Sequence, residues 1–190
     1  VLGILSVFVI FKISEQVQAK KVFRLVLVGI VGGFMAATLI YSGLFAVDKK
    51  PLGVLLGEET KSSYLRRELT NFSAIQFIRE ELTKDDRVLM LWDSRGYYCG
   101  EKCLPDYHQA RWVELVEDEP DVVQITGQLQ AGGISYLMLD RETLNYKLLY
   151  DRTGTHRHAA EFFLKKYQPL CAEEIYTDQW STVYEITCDD

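Results

Sequence analysis

The chain has 190 residues, 21 basic and 27 acidic, for a net charge of −6. That length is enough for an independent core. The acid excess repels phosphate backbones, which argues against nucleic acid as a partner.

In chain order, the first features are apolar. Val1 to Phe11 runs without a charge to Lys12 and predicts the truncated end of a transmembrane helix over 1–13. A secretory h-region has similar length, but the basic n-region and small-residue cleavage site it requires are missing here. Residues 14–24 then hold Lys20, Lys21 and Arg24 against Glu15. A short loop rich in cations stays on the cytoplasmic side. Leu25 to Val47 carries no charged side chain. At about 1.5 Å per residue it covers the ~30 Å hydrocarbon core as a helix, and 25–47 is read as a transmembrane span running outward. It ends at Asp48-Lys49-Lys50-Pro51.

The expected organisation is therefore a connector over 48–70 and an extracytoplasmic domain over 71–190. Of the 21 basic and 27 acidic residues, six and two lie in the first 51, leaving 15 against 25 and a net charge of −10 for the rest. Anionic headgroups, like nucleic acid, are poor partners for such a surface. All four cysteines, Cys99, Cys103, Cys171 and Cys188, fall in this portion, as an oxidising compartment allows.

In the outer domain a helix is expected from Asn71, a plausible cap, with Ala74, Ile75, Phe77, Ile78 and Leu82 on one face. Val88 to Trp92 is a continuous apolar run bounded by charges, the pattern of a strand buried on both faces. Asp118 is expected to cap a second helix with Pro120 in its first turn, an apolar face of Val122, Val123, Ile125 and Leu129, and a stop at Gly132-Gly133. Ile134 to Leu139 predicts a second buried strand. A third helix from His156 to Tyr167 follows, burying Ala159, Phe162, Phe163 and Tyr167. A hairpin of Glu173–Thr177 and Thr182–Thr187 closes the chain. Helices alternating with buried strands predict a small three-layer α/β domain with a parallel core and a C-terminal β-hairpin.

Trp92-Asp-Ser-Arg-Gly-Tyr-Tyr-Cys99 leaves the carboxyl end of the first buried strand. Ligands bind at that end of open α/β sheets, and Asp93, Arg95, Tyr97 and Tyr98 suit sugar hydroxyls or phosphate. A structural turn in which Asp93 pairs with Arg95 and the tyrosines pack is the competing reading. Cys99 and Cys103 could form a disulfide, a reactive pair, or half a metal site with His108. A structural zinc site needs four ligands, and no second cysteine pair is spaced to complete one. For Cys171 and Cys188, a hairpin centred on Gln179 and Trp180 pairs residues whose numbers sum to 359. These two cysteines meet that sum, so the hairpin predicts their disulfide. His156 and His158, two apart on a helix, do not share a face and read as a surface cap region. No P-loop, GxSxG, HExxH or GxGxxG is present.

The text from Tyr64 through Ile78, then Arg87 to Cys99 and Leu104-Pro-Asp106, resembles the C-terminal region of bacterial multi-spanning glycosyltransferases of the GT-C fold. That class includes protein O-mannosyltransferase and aminoarabinose-transferase relatives. Thr70 and Thr83 stand where the family pattern carries proline. The resemblance implies a multi-pass protein of the plasma or inner membrane, with its C-terminal domain extracytoplasmic. Its activity would be inverting transfer of a sugar from a polyprenyl-phosphate donor to an extracytoplasmic acceptor, with a divalent metal in the full-length enzyme. The family's catalytic carboxylate lies in an early outer loop that this sequence does not contain. No catalytic residue, metal ligand or cofactor is therefore assigned to this chain. Asp93, Arg95, Tyr97, Tyr98 and Asp106 are candidates for acceptor contact or for covering the site. The alternative is a non-catalytic, membrane-anchored binding or scaffold domain.

Overall fold

The structure is a computed structural model and describes residues 21–118 and 121–188. The expected helix over 1–13 and Pro120 lie outside the described residues. The chain divides into two compact units, Val1–Thr60 and Lys61–Asp190.

In the first unit, α1 (Lys21–Lys49) contains an apolar stretch, Leu25–Lys49, long enough to cross a bilayer, with none of it buried. Soluble core helices bury such a surface, so the bare apolar sides call for lipid or another apolar environment. A short helix, α2 (Pro51–Leu55), follows it.

The second unit begins with α3 (Lys61–Glu68) and α4 (Phe72–Glu81), inside what the sequence presents as connector and first helix. Next come β1 (Val88–Leu91), β2 (Cys103–Pro105), α5 (Arg111–Asp118), α6 (Val122–Ala131), β3 (Tyr136–Asp140), α7 (Arg141–Tyr150) and α8 (Thr155–Phe162). A π-turn over Phe163–Tyr167 leads to α9 (Gln168–Cys171), then β4 (Ala172–Thr177) and β5 (Ser181–Ile186). The sheet order is β2-β1-β3-β5-β4. Strands β2, β1 and β3 run parallel, and β5 and β4 add the antiparallel hairpin beside β3. This is the α/β domain with parallel core and terminal hairpin that the alternation of patterns predicts.

Neighbouring strand residues point to opposite faces, which builds the three layers. Leu89, Leu91, Leu137, Leu139 and Tyr184 meet Trp112, Val116, Ile125, Leu129, Phe163 and Tyr167 on one face. Val88, Met90, Met138 and Val183 meet Ala74, Ile75 and Ile78 of α4 on the other. At about 25 cal/mol per Å² of apolar surface removed from water, these two faces supply most of the drive to fold.

Several expectations change in detail. Asn71 precedes α4 but makes no side-chain cap, its backbone at φ −87° and ψ −2° being already helical. Asp118 ends α5 instead of starting the next helix, and Asp121 caps α6 by accepting from Val123 N at 2.8 Å. Val123 is exposed while Ile125 and Leu129 are buried, so the apolar face of α6 is narrower than its composition suggests. The third helix starts at Thr155 and its end loosens into the π-turn, with Ala159, Phe162, Phe163 and Tyr167 buried as expected.

Cys99–Cys103 is a disulfide, the first of the alternatives open to that pair, and the expected Cys171–Cys188 disulfide is present. The hairpin register differs from the one used to predict the second. Tyr176↔Val183 and Thr177↔Thr182 obey the 359 sum, but the register shifts between Glu174 and Tyr176, and Ala172 pairs with Ile186. Ile175 is thus the extra residue of a bulge. Thr187, not Cys188, lies across from Cys171, donating its N–H to Cys171 O at 3.0 Å. The Cys171 and Cys188 Cα atoms are nevertheless 4.6 Å apart, close enough to bridge.

Candidate functional site

The candidate residues gather at the carboxyl ends of β1 and β3. The chain leaves β1 through Trp92, whose φ of 57° is left-handed, an outlier for a bulky residue. Strand alternation would send Leu91 and Trp92 to opposite faces; the kink lets both join one core cluster. Trp92 Nε1 donates to His156 Nδ1 at 3.2 Å, so His156 contacts the strand end. Of order 1–3 kcal/mol of backbone strain is held there by packing.

The kink delivers Asp93, fully buried, to the end of the sheet. Its carboxylate accepts Arg95 N and Arg95 Nε on Oδ1, both at 2.9 Å, and Asn71 Nδ2 on Oδ2 at 2.7 Å. Asn71 serves Asp93 through Nδ2 alone; its Oδ1, the atom a helix cap would use, is buried and accepts no hydrogen bond. The other end of the guanidinium reaches the next strand. One terminal nitrogen donates to Asp140 Oδ2 at 2.9 Å and Thr143 Oγ1 at 3.1 Å, and the other to Thr70 Oγ1 at 3.2 Å. Thr70 Oγ1 donates in turn to Glu142 Oε2 at 2.9 Å. Asp140 is also buried and caps α7 by accepting Thr143 N at 2.7 Å. Arg95 thus bridges two buried carboxylates at the carboxyl ends of adjacent parallel strands.

Burial opposes the charge on Arg95, but the hydrogen bond and field of Asp93, with those of Asp140 and Glu142, outweigh it and hold the guanidinium above its ordinary value. For Asp140 burial wins over the Thr143 N–H and the Arg95 charge, and its carboxyl is pushed upward. A raised folded-state value means the folded chain holds that proton more tightly than the unfolded chain. Its contribution to stability is full below the ordinary carboxylate range, near pH ~4, and is lost as pH rises through the raised value. The stability advantage of the wild type over Asp140→Asn is expected to shrink with rising pH, as read from unfolding midpoints across a pH series. An advantage that grew with pH would mean that Arg95 outweighs burial.

Asp106, expected near the site, caps α5 by accepting Ala110 N at 3.2 Å and Arg111 N at 3.1 Å. Its own N–H donates to Asp93 O at 2.9 Å, tying the loop to the end of β2. Between them, a Cβ on Gly96 would sit 3.1 Å from the Pro105 ring, so a side chain here would have to push the ring back by a few tenths of an ångström. Tyr98 packs edge-on to Phe72 at 5.8 Å, and Tyr97, edge-on to Tyr98, is 88% exposed. The Cys99–Cys103 bridge closes the loop, and Lys102 Nζ donates to Ile78 O and Arg79 O at the end of α4, each at 3.2 Å.

Asp93, Arg95, Tyr97 and Tyr98 thus share one loop, with Asp93 and Arg95 in its buried base and Tyr97 at its surface. Asp106 braces that loop. The sequence reading missed Asp140, Glu142, Thr143, Thr70 and Asn71. One signal was available for Asp140: it follows a buried apolar run as Asp93 does, with Thr143 at capping distance. Among the described residues no group of three or more His, Cys, Asp or Glu could hold a metal ion.

No protein-family model matches the chain. No curated protein matches it significantly. Among solved structures, the C-terminal globular domain of an oligosaccharyltransferase from Archaeoglobus fulgidus is similar with a TM-score of 0.42 and 10% identity, over 60% of this chain and 94% of that one.

Proposed function

We propose that this chain is the C-terminal part of a multi-spanning GT-C glycosyltransferase of the cell membrane, which moves a sugar from a polyprenyl-phosphate carrier to an extracytoplasmic acceptor. In this reading α1 is a span, the α/β unit stands outside, and the β1 and β3 rim contacts the acceptor or covers the reaction site. Support comes from the sequence resemblance around Arg87 to Cys99, the bare apolar surface of α1 and two disulfides suited to an oxidising compartment.

The observation that carries the acceptor role is an exposed tyrosine on an immobilised base. Tyr97 is open to solvent, while the Asp93–Arg95–Asp140 bridge, the Asp106 contact and the Cys99–Cys103 closure hold its loop. A ring presented this way can pack against a sugar face or peptide with little ordering cost. Arg95 favours the non-catalytic scaffold reading for its own side chain, because every guanidinium nitrogen already donates within the chain. In the intact enzyme supplied with radiolabelled polyprenyl-phosphate sugar, Tyr97→Ala is expected to lower transfer at limiting acceptor by roughly tenfold, the scale of one lost contact of about 1.4 kcal/mol. The unfolding midpoint should not move. Unchanged transfer would leave the loop a purely structural role.

A further inference from the structure

We infer that residues 51–56 form an interfacial foot, seated among lipid headgroups immediately beyond α1. The inference rests on the membrane reading of α1. Helix α1 ends because Lys50 adopts a left-handed φ of 46°, with Lys50 N still bonded to Ala46 O at 3.0 Å. Pro51 then opens α2, where its missing N–H costs nothing. The chain folds back on itself: Gly53 N donates to Lys50 O at 3.1 Å and Gly57 N to Val54 O at 3.3 Å. Gly53 O accepts both Glu58 N at 2.9 Å and Glu59 N at 3.2 Å. Gly57, at φ 75°, supplies the left-handed exit that only glycine adopts freely. These bonds satisfy backbone polar groups inside the turn, the condition for peptide to enter a low-dielectric layer.

The side chains point to the same occupant. Pro51 to Leu56 holds no polar residue, and Leu55 and Leu56 are 80% and 71% exposed. A single exposed leucine is ordinary, but two in succession on a self-closed turn form a patch. Only Asp48, Lys49 and Lys50 separate that turn from the uncharged run of the helix, so lipid is the apolar phase already at hand. Lys49 and Lys50 lie at the junction, where long cationic side chains reach toward headgroups while their stems stay apolar. Acidic residues resume at Glu58, which puts the water boundary there. The foot would fix the height at which the chain leaves the membrane.

The test uses the chain reconstituted in phosphatidylcholine vesicles carrying nitroxide-labelled lipid, with an environment-sensitive fluorophore on one introduced cysteine. The variants are Leu55→Cys, Leu39→Cys within α1, and Glu58→Cys. The expected result is quenching at 39 by nitroxides deep in the acyl chains, quenching with a blue shift at 55 by nitroxides near the headgroup, and a water-like spectrum at 58. Quenching at 39 with a water-like spectrum at 55 would overturn the foot and leave the span standing. An unquenched probe at 39 would overturn the span and the foot with it.

Discussion

Arg95→Ala is expected to destabilise the α/β unit more than any other change in the loop. Removing the guanidinium leaves the buried carboxylates of Asp93 and Asp140 facing each other without a cation. Breaking one partner of a buried ion pair costs about 3–5 kcal/mol, and the 34% exposure of the Arg95 side chain, through which water screens the charges, points to the lower end. With a urea m-value of roughly 1–3 kcal/mol/M, the midpoint of the detergent-solubilised chain should fall by about 1 M or more, as followed by circular dichroism. The loss should be larger at pH 8 than at pH 5, since paired carboxylates without a cation retain a proton at the lower pH. Adding Asp140→Asn to Arg95→Ala should recover part of it. Arg95→Lys should not restore full stability, because a single ammonium cannot fork between two strands. An unchanged midpoint in Arg95→Ala would show that water screens the bridge.

Trp112→Ala is the second large effect. Trp112, in α5, is completely buried and packs edge-on against Phe163 at 5.2 Å and Tyr167 at 5.0 Å. Its Nε1 donates to Ala159 O at 3.1 Å, which joins α5 to α8. Truncation opens a cavity and removes that bond between the two helices, for a cost of about 3–5 kcal/mol. Trp112→Phe should cost less, because most of the volume remains. A Trp112→Ala midpoint within error of the wild type would mean that the layer around α5 collapses to fill the space.

These residues also show what the sequence could and could not reveal. Buried runs such as Val88–Trp92 announce central strands because burial on both faces leaves only apolar side chains. Strand β2, three residues long and ending in Pro105, has too little pattern to be seen, and its parallel place at the sheet edge follows a turn closed by a disulfide. Helix α7 was missed for the opposite reason: Leu144 is buried while Tyr146, Leu149 and Tyr150 are exposed, so no single apolar face stands out. The Cys171–Cys188 bridge was legible although the bulge at Ile175 moved the register by one, because a residue just past a paired end can still reach its neighbour.

The candidate site was half legible. Asp93, Arg95, Tyr97 and Tyr98 are contiguous, and their place after a buried strand marks them. Asp140 lies 45 positions after Arg95 and Asn71 lies 22 before Asp93, so only the sheet brings them together. Thr70 is instructive because its hydroxyl both receives from Arg95 and donates to Glu142, a role proline could not fill.

The most direct test of the extracytoplasmic glycosyltransferase reading is labelling of Tyr97→Cys with a membrane-impermeant maleimide in intact cells. Position 97 is exposed and the native cysteines are all bridged, so the introduced thiol reports its side of the membrane. Labelling without permeabilisation is the expected result. Labelling only after permeabilisation would place the α/β unit in the cytoplasm and contradict the outward span, the oxidising compartment and the family reading together.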